Sequence, residues 1–220
     1  MRGYLSYFKT QLLTGLQYKE AALAGLTTQF FWGFLNCMVY QAFYSHTSIS
    51  DINLRELTCY VWLNQAFFSL IYIRVKDNEI MDAIKSGTVA YELCRPYDIF
   101  SWWYIKFLAK KYAAVTLRFI PVICVAFLLP APYRLSLPSS PVHFVLFVLT
   151  LLLGSFIITA LIMIIQSIGF FSNQDSGIMS IFCTVVELMS GYALPLPLLP
   201  KIINTIGKYL PFRLIGDLPF

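Results

Sequence analysis

The sequence predicts an all-α fold, a polytopic bundle of membrane-spanning helices forming one transmembrane domain over residues 1–220. Three observations carry this prediction. Of the 220 residues, 58% are hydrophobic and only 12% are charged, about half the roughly 25% charge of an average soluble domain. The apolar residues gather into five long runs almost free of charge. A soluble core has no room for so much apolar surface, whereas a helix of about 20 apolar residues, rising 1.5 Å per residue, fits a hydrocarbon layer roughly 30 Å thick. Finally, 7 of the 16 Lys and Arg side chains crowd between Arg74 and Lys111. The net charge of +5 is no signature of nucleic-acid binding, because the basic residues flank apolar runs instead of forming a stripe with interleaved aromatics.

Residues 1–20 read as an interfacial helix. Tyr4, Leu5, Phe8, Leu12 and Leu16 recur at helical spacing while Arg2, Lys9, Gln11 and Lys19 fall mostly elsewhere, which suits a helix lying among lipid headgroups; a frayed tail is the plainer alternative. The polar segment continues to Glu20 and the run behind it is long enough to span, so no secretory signal peptide is read and the first span is expected to be retained. That span covers 21–44. It has no ionised side chain, but Thr27, Thr28, Gln29, Asn36 and Gln41 make it more polar than a plain anchor, and such groups hydrogen-bond between helices. A short loop, Ser45 to Asn53, carries Asp51 and no Lys or Arg.

The second span, 57–73, is barely long enough and holds Trp62, Asn64 and Gln65. Residues 74–111 form the one substantial polar connector, with a helix-forming IMDAIKSG, a turn at Arg95-Pro96 and the aromatics Phe100, Trp102, Trp103 and Tyr104, which suit a membrane interface. The third span, 112–129, contains Arg118 and ends in PAPYRLSLPSSP. The fourth, 142–171, is long enough to tilt, and Ser172 to Ser176 make a tight turn. The fifth, 177–194, holds Glu187 and is broken by Pro195, Pro197 and Pro200. Residues 195–220 are too short and too charged to cross, and read as an external re-entrant or interfacial segment, since irregular backbone at membrane depth needs cover from protein or water.

Basic residues set the orientation. Three lie in the N-terminal segment and seven in 74–111, against Arg55 and Arg134 on the opposite side, so the N-terminus and the long connector are expected in the cytoplasm. An odd number of spans leaves Lys201, Lys208 and Arg213 outside, which either an external hairpin or a missing further span accommodates. Cys37, Cys59, Cys94, Cys124 and Cys183 are scattered singly, with no metal-ligand spacing, and read as reduced packing residues.

These residues together resemble the permease subunit of type-2 ABC exporters, the membrane partner of a separate ATP-binding-cassette protein. The likeness covers nearly the whole chain: the opening YKEAALAGLTTQFFWGF, the connector IKSGTVAYELCRPYDIF and the ending YLPFRLIGDLPF. Its most specific part is Ile84, Gly87, Leu93, Arg95 and Pro96. Within the family the chain looks most like bacterial drug and antibiotic exporters. These carry six spans, so the resemblance implies a sixth beyond the five read here. It also implies that ATP and Mg bind on two partner ATP-binding subunits and that this chain itself binds no cofactor and is no enzyme; the sequence has no GxxxxGK[ST] phosphate loop. A second permease, identical or homologous, membrane lipid, and a bacterial cytoplasmic (inner) membrane are further implications.

The resemblance assigns a coupling helix to about 76–86. Ile80, Met81 and Ile84 would be its apolar docking face, with Asp77, Glu79, Asp82 and Lys85 as the rim, and Lys76, Gly87, Arg95 and Pro96 would be further ATPase-coupling residues; a solvated loop with one helical turn is the alternative. It also implies that the first, second and fifth spans line the path. Thr28, Gln29, Asn36, Asn64 and Gln65, with Phe30, Phe31, Trp32, Phe67 and Phe68, would then give a polar and aromatic wall for an amphipathic substrate (a drug, antibiotic, peptide or lipid-like molecule), unless they serve only to pack helices. Glu187 lies about 16 Å into its span by helical rise, where a carboxylate costs a few kcal/mol unless protonated or paired. It serves either gating and substrate contact or a structural pair. Arg118 either snorkels to the cytoplasmic face or meets Glu187.

Two other classes compete. A membrane-embedded enzyme would need a catalytic cluster, and the nearest, His46 to Asp51 in HTSISD, has no basic partner and sits on the outer side; His143 has no nearby acid. A stand-alone secondary transporter would show paired broken helices in inverted repeats, whereas one proline-interrupted region is present.

Overall fold

Residues 2–46, 53–75, 77–138, 140–168 and 175–220 are described by the structure, a computed structural model. Among them the chain is helix and turn with no β-strand. In order these are α1 (Arg2–Gln17), α2 (Lys19–His46), α3 (Leu54–Ala66), α4 (Phe68–Ile71), α5 (Asn78–Lys85), α6 (Val89–Leu93), α7 (Ile99–Leu128), α8 (Pro141–Ile168), α9 (Asp175–Met189) and α10 (Lys201–Tyr209), with 3-10 turns at Leu196–Leu198 and Pro211–Leu214. Three helices among the described residues are long and apolar enough to cross a membrane: α2 over Lys19–Tyr44, α7 and α8.

α8 shows why these helices suit lipid. Proline at its first position costs no intrahelical bond, and one face buries Leu151, Gly154, Ile158, Ile162 and Gln166. Opposite, Val145, Leu149, Leu153, Phe156 and Ile164 stand exposed. An apolar surface of that extent is a liability in water and at no disadvantage in hydrocarbon.

α1 lies along α7. Tyr4, Tyr7, Phe8, Leu12 and Leu16 are half-buried at helical spacing, and the Tyr7 ring stacks on Trp102 with centroids 3.7 Å apart. Leu5, expected on the apolar face, is exposed.

Several element boundaries differ from the sequence reading. The second apolar run is not one helix: α3 stops at Ala66, Phe67 adopts φ −101°, ψ 11°, α4 adds a single turn, and Tyr72 is extended. The Lys111 ammonium stabilises this break by donating to the carbonyls of Ser69 (3.4 Å), Leu70 (3.1 Å) and Tyr72 (2.7 Å), the orphan acceptors of a helix end. α7 begins at Ile99, so residues 99–111 are helical, not part of a loop. Asp98 caps this helix, its carboxylate accepting from the Ser101 N–H at 2.7 Å. The fifth run leaves the helix after Met189, and Gly191 takes φ 78°, a left-handed conformation that favours glycine. The turn after α8 and most of the loop holding HTSISD lie outside the described residues.

Three apolar clusters form the core among the described residues, the smallest being Leu70, Val115 and Leu151. One joins Ile71, Ile73, Ile80, Val89, Trp103 and Phe107 to Ile158, Ile162, Cys183, Val186 and Ile215. Another joins Leu26 and Cys37 of α2 to Val61, Trp62 and Ala66 of α3 and Val122 and Ala126 of α7. Residues 190–220 fold back onto these helices. The Asp217 N–H donates to the Ser190 carbonyl at 2.8 Å, the Asp217 carboxylate accepts from Arg213 Nε at 2.7 Å and Leu196 N–H at 3.3 Å, and Ile215 is buried.

Candidate functional site

A cleft of about 510 Å³ opens between α2, α3, α4, α7 and residues 192–195. Its polar wall is Thr28, Gln29, Asn36, Asn64 and Gln65; its aromatic wall includes Trp32, Tyr40, Tyr60, Phe68, Tyr72 and Tyr192. Six of the eight residues assigned to a path from sequence (Thr28, Gln29, Asn36, Asn64, Gln65 and Phe68) thus come together, because helical spacing puts 25, 28, 29, 32 and 36 on one face of α2. Phe31 does not join them: it is 62% exposed on another face.

Hydrogen bonds shape this cleft. Tyr60 Oη donates to the Gly191 carbonyl at 2.7 Å and Asn64 Nδ2 to the Tyr192 carbonyl at 3.3 Å, so the chain after α9 is held as the cleft's edge. Gln29 is only 4% exposed, yet both its amide atoms lack a hydrogen-bond partner among the described residues. Arg118 enters from α7 across Gly25, where a Cβ would come within 2.5 Å of the guanidinium carbon. Its Nη2 donates to the Ala21 carbonyl at 3.3 Å and Nη1 to Ser69 Oγ at 3.5 Å, while Nε has no partner among the described residues.

Glu187 stands apart from this lining. Arg74 holds it through two parallel bonds, Nε to Oε1 and Nη2 to Oε2, each 2.8 Å, and Nη2 also donates to Thr184 Oγ1 at 2.8 Å. The expected alternative of an Arg118–Glu187 pair is therefore corrected. Glu187 sits in the last turn of α9, where the helix dipole disfavours an anion, and the bidentate guanidinium offsets that. Arg74 reaches it because the chain after α4 has left the helix; local spacing gave no signal of this.

The second assembly is the connector. Asp77 caps α5, its Oδ1 accepting from the Ile80 N–H at 3.3 Å, and its Oδ2 accepts from Lys110 Nζ at 2.7 Å and Lys106 Nζ at 3.0 Å. Lys106 also pairs with Glu79 at 2.6 Å. Burial pushes the Asp77 carboxyl up, but the hydrogen bonds and charges of Lys110 and Lys106 outweigh it and hold the group below the usual carboxylate range. Gly87, at φ 75°, ends α5, its N–H donating to the Ile84 carbonyl at 3.2 Å.

This geometry reverses part of the expected docking face. Ile80 is 3% exposed and packs, with Ile84 beside it, into the chain's own core; Met81 is half-buried, and Asp77 is buried and paired. An amphipathic helix settles its apolar stripe on the nearest core. Outward stand Glu79, Asp82, Lys85 and Gly87, with Tyr91 and Leu93 of α6 and then Arg95 and Pro96. Arg95 Nη1 donates to Tyr97 Oη at 3.1 Å, and Tyr97 Oη to Glu92 at 2.8 Å. Lys76 lies outside the described residues. Sequence reasoning missed Lys106 and Lys110 as the anchors of α5, although their i, i+4 spacing marks one helix face. Among the described residues no group of three His, Cys, Asp or Glu side chains gathers as a metal would require.

Comparison with known proteins finds one family. The sequence model described as "ABC-2 family transporter protein" matches residues 30–220, a stretch that includes both the cleft and the connector. No curated protein and no solved structure matches the chain.

Proposed function

The chain belongs to the ABC-2 family of transporter proteins, a multi-pass membrane permease, and from that premise we propose that it is half of an ATP-driven exporter. Two such permeases, identical or homologous, face each other, and two ATP-binding-cassette subunits carrying ATP and Mg grip them from the cytoplasm. The substrate is amphipathic and leaves the cytoplasm or inner leaflet. The membrane is the bacterial cytoplasmic one, with the N-terminus and the connector inside. Five spans are α2, α3 with α4, α7, α8 and α9, and residues 195–220 form an external re-entrant element.

The observation that carries this reading is the continuity between connector and cleft. Asp77 ties the start of α5 to Lys106 and Lys110 of α7, and Arg118, about 12–18 Å further along α7 by helical rise, enters the cleft. A push on the outward surface of α5 and α6 by closing ATP-binding subunits moves α7 with it and alters the cleft wall. Only a ligand or partner that binds the two states unequally shifts their populations, and ATP binding supplies that difference.

The test is co-expression with an ATP-binding-cassette subunit, copurification, and ATP hydrolysis in lipid. A stable complex whose hydrolysis rises with an amphipathic substrate is expected. A chain that recruits no such subunit, or that moves substrate in vesicles without ATP, refutes the proposal.

A further inference from the structure

We propose that the cleft takes an amphiphile whose head group is anionic, a carboxylate or phosphate that pairs with Arg118 while the apolar part lies against Trp32, Phe68 and Tyr72. This names the substrate class of the export reading and rests on that reading only for calling the ligand a substrate.

Charge comes first. Among the described residues lining the cleft, Arg118 is the one with an ionised side chain. Its two bonds go to neutral oxygens at 3.3 and 3.5 Å, longer than the roughly 2.7–2.9 Å of a charge-assisted pair. Its Nε has no partner among the described residues. Glu187 is committed to Arg74. A half-buried guanidinium with only neutral acceptors within a membrane span is costly, and its planar fork is the side chain best matched to a carboxylate or phosphate.

Gln29 supplies the second, independent observation. It sits one turn beyond Gly25, the residue Arg118 crosses, and its buried amide is unpartnered among the described residues. Buried amides without partners are rare in proteins, and its NH2 adds a neutral donor for an anionic oxygen. The aromatic wall offers a rival, since such rings also attract cations. A fixed positive charge in the same low-dielectric cleft opposes that choice.

The test uses the full-length chain in phosphatidylcholine nanodiscs without ATP, and three fluorescent probes with one shared dansyl-undecyl body bearing carboxylate, alcohol or trimethylammonium heads. The carboxylate is expected to bind at least tenfold more tightly than either other probe. Arg118→Gln should bring it to the level of the alcohol, and Arg118→Lys should retain part of the preference. Gln29→Glu leaves Arg118 in place but gives it an internal counter-ion: carboxylate binding should fall at least tenfold while the melting temperature holds or rises. Equal affinity for the three probes, preference for the cation, or carboxylate binding unchanged in Gln29→Glu overturns the proposal; so does an Arg118 occupied by a carboxylate of a second copy.

Short-chain phosphatidylglycerol separates the sources of the anion. Displacement of the bound carboxylate by this lipid identifies a lipid phosphate as the head group, and resistance to it identifies a free amphiphile, with the anion requirement supported in both cases. Arg118-dependent binding without stimulated ATP hydrolysis would sink the export reading and leave this one standing. Stimulation by cationic amphiphiles regardless of Arg118 would do the reverse.

Discussion

Replacing Asp77 should loosen the connector in two separable steps. Its side chain is 2% exposed, caps α5, and receives two ammonium groups. The cap contributes about 1 kcal/mol. Lys110 is 42% exposed, so its pair is screened and adds about 0.5 kcal/mol. Lys106 is 9% exposed but keeps Glu79 as a second acceptor, so the loss of one charge-assisted bond costs about 1.5 kcal/mol. Asp77→Ala removes all three, about 3 kcal/mol; Asp77→Asn retains a capping oxygen and loses about 2 kcal/mol, since asparagine caps as well as aspartate. For a chain of this length 1 kcal/mol moves the melting midpoint by roughly 2–4 °C. The expected drops are about 6–12 °C for Ala and about 4–8 °C for Asn, read from tryptophan fluorescence in a neutral detergent. Equal midpoints for the two variants would remove the cap from this account, and midpoints matching the unaltered chain would remove the tether.

Acid should weaken the same tether. The folded Asp77 carboxyl titrates below its unfolded value of about 3.9, so its stabilisation is complete above that pH and drains away as pH falls through the depressed folded value; the gap in melting midpoint between the unaltered chain and Asp77→Asn should hold constant from pH 7 down to about pH 4 and narrow only below it. Glu187→Gln leaves Arg74 a neutral acceptor and should cost about 1–2 kcal/mol, and export measured in vesicles should fall further than the expression of folded protein; export unchanged at normal expression would mean that the Arg74–Glu187 pair has no part in transport. Lys111→Met strands the carbonyls of Ser69, Leu70 and Tyr72 and should cost about 2–4 kcal/mol, visible as a lower melting midpoint and faster amide exchange at 69–73. Retained protection there would show that α4 ends without this cap.

What could be read from the chain and what could not divides by the range of the interactions involved. The all-helical class and the shared face of Thr28, Gln29 and Asn36 on α2 follow from spacing within single helices, whereas the meeting of that face with Asn64 and Gln65 of α3 and Phe68 of α4 depends on how the helices pack. The start of α7 was also written locally, in Asp98 and Ser101, but three lysines in the next turns looked like a polar connector. Their charge is met by Asp77 and Glu79 and by the carbonyls of α4, far away in sequence, so their fit inside a helix was invisible from composition.

Apolar periodicity and basic bias by themselves determined that this is a helical membrane chain with a charged connector, because burial in lipid and helix formation act residue by residue along a segment. Only the tertiary structure decided that Arg74 takes Glu187, that Ile80 turns inward, and that Arg118 meets neutral oxygens beside Gln29. A long cationic side chain has several partners within reach, and which of them it meets depends on how helices distant in sequence pack.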